Sequence, residues 1–210
     1  MIKVLAFDFD GVILESVAVK DQAIFELFEN ASLEERQQVL DLHRKTPGIK
    51  RWDRIHMLLT QGLDMEVPNY LVDSYLERFS KLVWEGLMDS VEVPGIRKFL
   101  NEVFRQIQCY IVSAAPQYEV RAVAETRDFS KYFVDILGSP FSKVEILEQI
   151  IENENVNPNS LIMIGDKPTD YKAAMTVGSE FIGRLSPDNM TNFPEDVLVI
   201  KDFRNASFLL

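Results

Sequence analysis

The sequence has one cysteine among 210 residues. Cys109 has no second cysteine to pair with, so an intramolecular disulfide is excluded. Its place in the apolar run Cys109-Tyr110-Ile111-Val112 marks it as a small buried hydrophobe. No apolar run approaches the roughly 18 residues that a membrane-spanning helix needs. The N-terminal stretch has no basic region followed by an apolar segment and a small-residue cleavage site, so no signal peptide is expected. With the single cysteine, this points to a reducing cytoplasm. Positive charge is scarce: 22 Lys and Arg stand against 33 Asp and Glu, a net charge of −11. An acidic chain is a poor generic binder of nucleic acid or of an anionic membrane. Internal repeats and low-complexity segments are absent as well. With 47% hydrophobic and 26% charged residues, the composition is that of a folded globular protein with one substantial core or a core plus a small module.

Residues 2–7 are nearly all apolar, as expected for a strand covered on both faces. Similar short runs occur at 110–112, 134–137, 161–164 and 197–200. Helical stripes lie between the later ones. Ile96, Phe99, Leu100, Val103, Phe104 and Ile107 form one stripe. Val144, Leu147 and Ile151 form another, opened by Ser142 with Glu145 three residues on, a capping-box pattern. This alternation predicts an α/β fold, a doubly wound parallel sheet with helices on both sides. Residues 16–92 break the alternation and show only helical patterns, including a second capping box at Ser32 to Glu35. The expected organisation is therefore a core of residues 1–15 and 93–210 with an all-helical insert at 16–92. Val93-Pro94-Gly95 marks the return to the core, and Pro47-Gly48 breaks a helix inside the insert.

Four features fall at the ends of predicted strands. Asp8 and Asp10 follow the first strand. Residues two apart in extended chain point the same way, so both acids project beyond its carboxyl end, where open parallel sheets bind ligands. Gly11 then permits a close turn. Ser113 closes the strand Ile111-Val112. Lys143 stands at the start of a helix, where a cation gains nothing from the helix dipole. Gly165-Asp166-Lys167-Pro168-Thr169-Asp170 follows another apolar strand and supplies oxygen donors suited to a hard cation such as Mg2+. Read singly, a turn serine, an exposed lysine and a pair of surface acids are ordinary; their common location at one sheet edge is not.

Asp8-Phe9-Asp10-Gly11-Val12, Ser113, Lys143 and Gly165 to Asp170, in that order, resemble the four motifs of the haloacid dehalogenase superfamily of phosphohydrolases. The resemblance spans nearly the whole chain. It implies a Rossmann-like core, and it makes residues 16–92 similar to the helical cap of the phosphoglycolate phosphatase and β-phosphoglucomutase branch. It further implies that Asp8 is a nucleophile forming an aspartyl-phosphate and that Asp10 is the general acid and base. Ser113, the Ala114 backbone N–H and Lys143 would contact phosphate oxygens. Mg2+ would be held by Asp8, the main-chain carbonyl of Asp10 and Asp166, with Asp170 orienting the site. Dehalogenases of the superfamily lack an acid at the position of Asp10, because halide leaves without a proton. Its presence here points to a phosphate ester. Two carboxylates about 4 Å apart repel by about 4 kcal/mol at an effective dielectric of 20, so a cation is needed before a dianionic ester can approach.

The insert carries five Lys or Arg and two His within residues 43–56. Arg44, Lys50 and Arg51 are candidates for holding a second anionic group of the substrate; a solvated basic face is the alternative. The expected function is a Mg2+-dependent phosphatase acting on a small phosphorylated metabolite. The alternatives are a sugar phosphomutase and a non-catalytic binding protein of the same fold.

Overall fold

The computed structural model of the protein describes residues 1–46, 49–186 and 193–206. The predicted break at Pro47-Gly48 lies outside the described residues. The chain divides into two compact units, Met1–Val17 with Ser90–Leu210, and Ala18–Asp89.

The first unit is built on a six-stranded sheet: β1 (Val4–Phe7), β2 (Gln108–Pro116), β3 (Asp135–Ser139), β4 (Leu161–Gly165), β5 (Glu180–Arg184) and β6 (Leu198–Ile200). The spatial order is β3-β2-β1-β4-β5-β6, with every pairing parallel. The chain leaves β1 in one direction to β2 and returns on its other side with β4. That reversal opens a crevice at the carboxyl ends of β1 and β4. The apolar runs become strands because both faces of the sheet are covered. Val4 and Ala6 pack on one face with Ile146, Leu147 and Ile150 of α7 (Lys143–Asn153) and with Ala173 and Ala174 of α8 (Pro168–Val177). Phe7 points to the other face, edge-on to Phe99 of α5 (Ile96–Val103), with its ring centroid 6.4 Å away. Burying a side chain of this size contributes about 1.5–3 kcal/mol. The Ser142 capping box forms as the sequence predicts: Ser142 Oγ accepts from the Glu145 N–H at 3.2 Å, and the Ser142 N–H donates to Glu145 Oε2 at 2.7 Å. This fixes the first turn of α7 and therefore the start of the Lys143 side chain.

One strand is not legible from apolar periodicity. β5 reads Glu180-Phe181-Ile182-Gly183-Arg184, with only two large apolar residues. Gly183 interrupts the run because a Cβ there would lie 2.6 Å from the ring of Phe193. Arg184 closes the strand although it is among the most deeply buried side chains of the protein.

The second unit is helical: α1 (Val19–Leu27), α2 (Leu33–Lys45), α3 (Arg51–Met57) and α4 (Asn69–Asp89), with a wider π-helical turn at Leu58–Gly62 continuing α3. Ile24, Leu27, Val39, Ile55, Leu58, Leu59, Val72, Phe79 and Val83 are buried within it. His43 of α2 is held between unlike neighbours. Arg54 Nη1 lies 3.0 Å from His43 Nδ1, and Asp21 Oδ1 lies 3.6 Å from Nε2. A guanidinium can only donate, so Nδ1 is the acceptor and Nε2 carries the proton. Burial first, and then Arg54, push the imidazole down to about 4, against the pull of Asp21. The folded state thus binds the His43 proton less readily than the unfolded chain does. The stability this group contributes is present above pH 6.5 and is lost as pH falls toward 4. Replacing His43 by Gln is expected to flatten the stability profile between pH 6.5 and pH 4.5 in urea titrations; an unchanged profile would contradict the neutral assignment.

Candidate functional site

The β1–β4 register places the two acidic loops side by side. Phe7 pairs with Ile164, and the Asp8 N–H donates to the Ile164 carbonyl at 2.9 Å. Asp8 is therefore the first residue past β1, and Asp166 stands next to it past Gly165 of β4. Lys143 arrives from the amino end of α7. Its Nζ lies 2.8 Å from Asp8 Oδ2 and 2.7 Å from Asp170 Oδ1. Asp166 and Asp170 are fully buried, and Asp8 is 4% exposed. Ligand oxygens of Asp8, Asp166 and Asp170 lie within 4.8 Å of one another.

The acidic loop after β4 is a self-supporting turn. Asp170, in the first turn of α8, accepts through Oδ2 from the N–H groups of Asp166 (3.1 Å) and Lys167 (3.0 Å). Its carboxylate thus occupies a helix N-terminus, where backbone donors and dipole favour negative charge. Two glycines make the crowding possible. A Cβ at Gly165 would lie 2.3 Å from Asp170 Cβ. Gly11 has φ +77°, and a Cβ there would lie 2.6 Å from Asp166 Oδ2. Any side chain at Gly11 would be strained and would enter the carboxylate cluster.

The electrostatics are unbalanced. Three buried carboxylates face one ammonium. Burial pushes the Asp8 carboxyl up from 3.8, Lys143 opposes it, and Asp170 and Asp166 add to it, leaving it at about 7. Burial works against the Lys143 charge, but Asp8 and Asp170 outweigh it and hold its pKa above the ordinary lysine value. An all-oxygen, net-negative donor set is what a hard divalent cation requires, and a thiolate- or imidazole-seeking metal would find no ligand in it. The residues fit a cation of the Mg2+ type.

Of the predicted site residues, Asp8, Lys143, Asp166 and Asp170 come together in this cluster. Asp10 is buried nearby in sequence, but its carboxylate is engaged elsewhere: Oδ1 accepts a 2.6 Å hydrogen bond from Ser16 Oγ. Its side chain is outside the group of acids whose ligand atoms converge. Ser113 is buried within β2, two positions past Ile111, the register partner of Phe7; the strand does not close there, as the sequence suggested, but runs on to Pro116 because the chain stays paired with β3 as far as Ser139. Its Oγ accepts from the Ala115 N–H at 3.1 Å. Ala114 follows on the same strand with its side chain exposed. The basic residues of the insert belong to the helical unit. Arg44 Nε donates to Asp21 Oδ2 at 2.7 Å, Lys50 is exposed at the N-cap of α3, and the Arg51 guanidinium lies 5.5 Å from the Phe79 ring centroid. Trp52 is half-buried; its Nε1 donates to Asp73 at 2.8 Å and its ring stacks on His56.

Sequence reasoning missed two partners of the first loop. Ser16 holds Asp10, and Glu15 meets Arg184. A serine and a glutamate beside a turn carry no signal of their own. The role of Glu15 emerges only when β5 brings Arg184 to it.

Among known proteins, residues 2–178 match the haloacid dehalogenase-like hydrolase family. The chain is 24% identical over 185 residues to a phosphorylated carbohydrates phosphatase of Thermotoga maritima, covering 84% of this chain and 82% of that protein. It is 27% identical over 197 residues to a phosphoglycolate phosphatase of Vibrio parahaemolyticus, covering 87% and 83%. Among solved structures it is similar to magnesium-bound YfnB of Bacillus subtilis, with a TM-score of 0.76 at 17% identity over 99% of this chain and 98% of that one. It is also similar to CbbY of Rhodobacter sphaeroides in complex with phosphate, with a TM-score of 0.71 at 19% identity over 99% and 97%.

Proposed function

Because the chain belongs to the haloacid dehalogenase-like hydrolases, we propose that it is a phosphatase that cleaves a small phosphorylated metabolite through a covalent phosphate on Asp8. The observation that carries this reading is the position of Lys143 Nζ, within 2.8 Å of Asp8 and 2.7 Å of Asp170, in a cluster that also holds Asp166. The sequence relatives, named for phosphorylated carbohydrates and phosphoglycolate, support small phosphate esters as the substrate class.

In this reading an Asp8 carboxylate oxygen attacks phosphorus, and the bond from phosphorus to the ester oxygen breaks. Asp10 gives its proton to the departing oxygen. Water then attacks the phosphorus of the aspartyl-phosphate and gives a proton to Asp10. The bond to Asp8 breaks and inorganic phosphate leaves. Lys143 holds a phosphate oxygen while keeping its contact with the nucleophile, and Ser113 and the Ala114 N–H donate to the others. A divalent cation, which we take to be Mg2+, would be held by Asp8, Asp166 and the Asp10 carbonyl, with Asp170 beside them. When bound it would offset the charge of acid and ester. By the family resemblance the helical unit serves as the cap, with Arg44, Lys50 and Arg51 as the proposed contacts for a second anionic group.

The test is a phosphate-release screen over sugar phosphates, phosphoglycolate and nucleotides, with Mg2+ and with a chelator. Hydrolysis is expected with the metal and is expected to vanish under chelation, returning on addition of excess Mg2+. An isomerised sugar phosphate without free phosphate would favour the mutase instead. No hydrolysis anywhere in the screen would overturn the phosphatase reading. The relatives named above are phosphatases and give the mutase no support, and solved structures at this level of identity speak for the fold.

A further inference from the structure

Arg184 is 1% exposed and ends β5, a strand with no part in the acidic cluster. Each of its three guanidinium nitrogens nonetheless donates a hydrogen bond. Nε donates to the Lys201 carbonyl at 3.1 Å. Nη1 donates to the Gly11 carbonyl at 3.0 Å and to Glu15 Oε2 at 2.7 Å. Nη2 donates to Glu15 Oε1 at 2.5 Å. The fork therefore grips the loop after β1 at two points. Gly11 is the residue after Asp10, and Glu15 is the residue before Ser16, whose hydroxyl holds the Asp10 carboxylate. The loop also closes on itself, with the Ile13 N–H donating to the Phe9 carbonyl at 3.0 Å and the Gly11 N–H to the Leu14 carbonyl at 2.8 Å.

A buried ion pair of this kind is a poor source of stability, since well-packed apolar side chains of the same volume usually serve as well or better. What a planar, bidentate guanidinium adds is direction: it fixes where two acceptors lie relative to each other. Here one acceptor is on the residue that follows Asp10, and the other is on the residue before Ser16, whose hydroxyl holds the Asp10 carboxylate. We propose that Arg184, through its pair with Glu15, is a positioning residue that holds Asp10 in line with the leaving oxygen. The proposal rests on the phosphatase reading above and adds to it a determinant from outside the four motifs. Without the clamp the loop keeps its sequence and its turn, but the Asp10 carboxyl loses its fixed distance to the ester oxygen.

The consequence is specific to one bond. Phosphoryl transfer to Asp8 needs a proton from Asp10 only when the leaving group is a poor one. The experiment compares kcat/KM on phenyl phosphate, whose phenoxide leaves reluctantly, with kcat/KM on p-nitrophenyl phosphate, whose nitrophenolate leaves without a proton. This constant reports the first phosphoryl transfer and not the later hydrolysis. For Arg184→Met we expect a loss of about 30–100-fold on phenyl phosphate and about 3-fold or less on p-nitrophenyl phosphate. Arg184→Lys should restore part of the phenyl phosphate activity. Glu15→Gln, on the more exposed partner, should shift the ratio in the same direction by a smaller factor; it carries the test if Arg184→Met does not fold. Equal losses on both esters, or no loss, in an active background would overturn the positioning role alone. A wild type inactive on both esters and throughout the metabolite screen would overturn the phosphatase reading and this proposal with it.

Discussion

Replacing Asp8 by Asn is expected to reduce phosphate release by about 10⁴-fold or more while leaving the fold in place. Removal of a nucleophile commonly costs this much, because the remaining groups cannot form the covalent intermediate. The amide keeps the shape of the carboxyl and can still accept from the Phe9 N–H, which now bonds Asp8 Oδ1 at 2.7 Å. The stability response is equally informative. The Asp8 carboxyl is raised from 3.8 to about 7, first by burial and then by Asp170 and Asp166, with Lys143 opposing. The folded state therefore binds this proton more tightly than the unfolded chain. Stability from the protonated group is full below pH 3.8 and is lost as pH rises through 7. In metal-free protein, Asp8→Asn should remove that loss, so the variant should gain on the wild type steadily between pH 4 and pH 7.5. Urea titrations at a series of pH values in chelator would measure this. A variant that is inactive and also falls behind the wild type as pH rises would mean that Asp8 is a structural anion rather than a strained nucleophile.

Lys143→Met is expected to lower kcat/KM by about 10²–10³-fold and to destabilise metal-free protein by about 3–5 kcal/mol at neutral pH. Lys143 is a buried cation within the cluster, and it touches two of the three acids. Without it the buried Asp8 and Asp170 carboxylates lose the ammonium that pairs with them both. The two effects should separate on adding divalent cation. Mg2+ compensates the charge but cannot replace a side chain that contacts the transferring phosphoryl group. The expected outcome is thus a stability deficit that shrinks markedly with added Mg2+ and an activity deficit that does not. Thermal melts with and without Mg2+, beside steady-state kinetics, test this. Recovery of both would reduce Lys143 to a counterion. A stability unaffected by the substitution would contradict the ion-pair geometry.

The acidic cluster was legible because each of its residues follows a local rule. Asp8 and Asp166 are placed by apolar strands that end abruptly, and adjacent parallel strands in register bring them together. Lys143 is placed by a capping box whose two hydrogen bonds can be read from Ser142 and Glu145 alone. The Asp10 carboxylate and Arg184 were not legible for the opposite reason. Asp10 shares the strand-end direction of Asp8 in extended chain, but the loop turns at Gly11 and a hydroxyl six residues on takes its Oδ1. Arg184 sits in a strand whose apolar pattern is broken by Gly183 and by its own charge. Its partners, Gly11 and Glu15, are about 170 residues away in sequence, so no local pattern records them. The helical stripes of the insert gave its helices, but not the π-helical turn at Leu58–Gly62, which no side-chain periodicity marks. Nor did they show that Arg44 and His43 are tied to Asp21.

The most direct test of the central claim is to look for the covalent phosphate itself. A reaction with a hydrolysed ester, quenched in acid during steady turnover and digested at low pH, should yield the peptide containing Asp8 with the added mass of one phosphoryl group. The label should be absent from Asp8→Asn and lost on chasing with unlabelled substrate. Turnover at full rate with no label on Asp8, while Asp8→Asn remains active, would contradict the account.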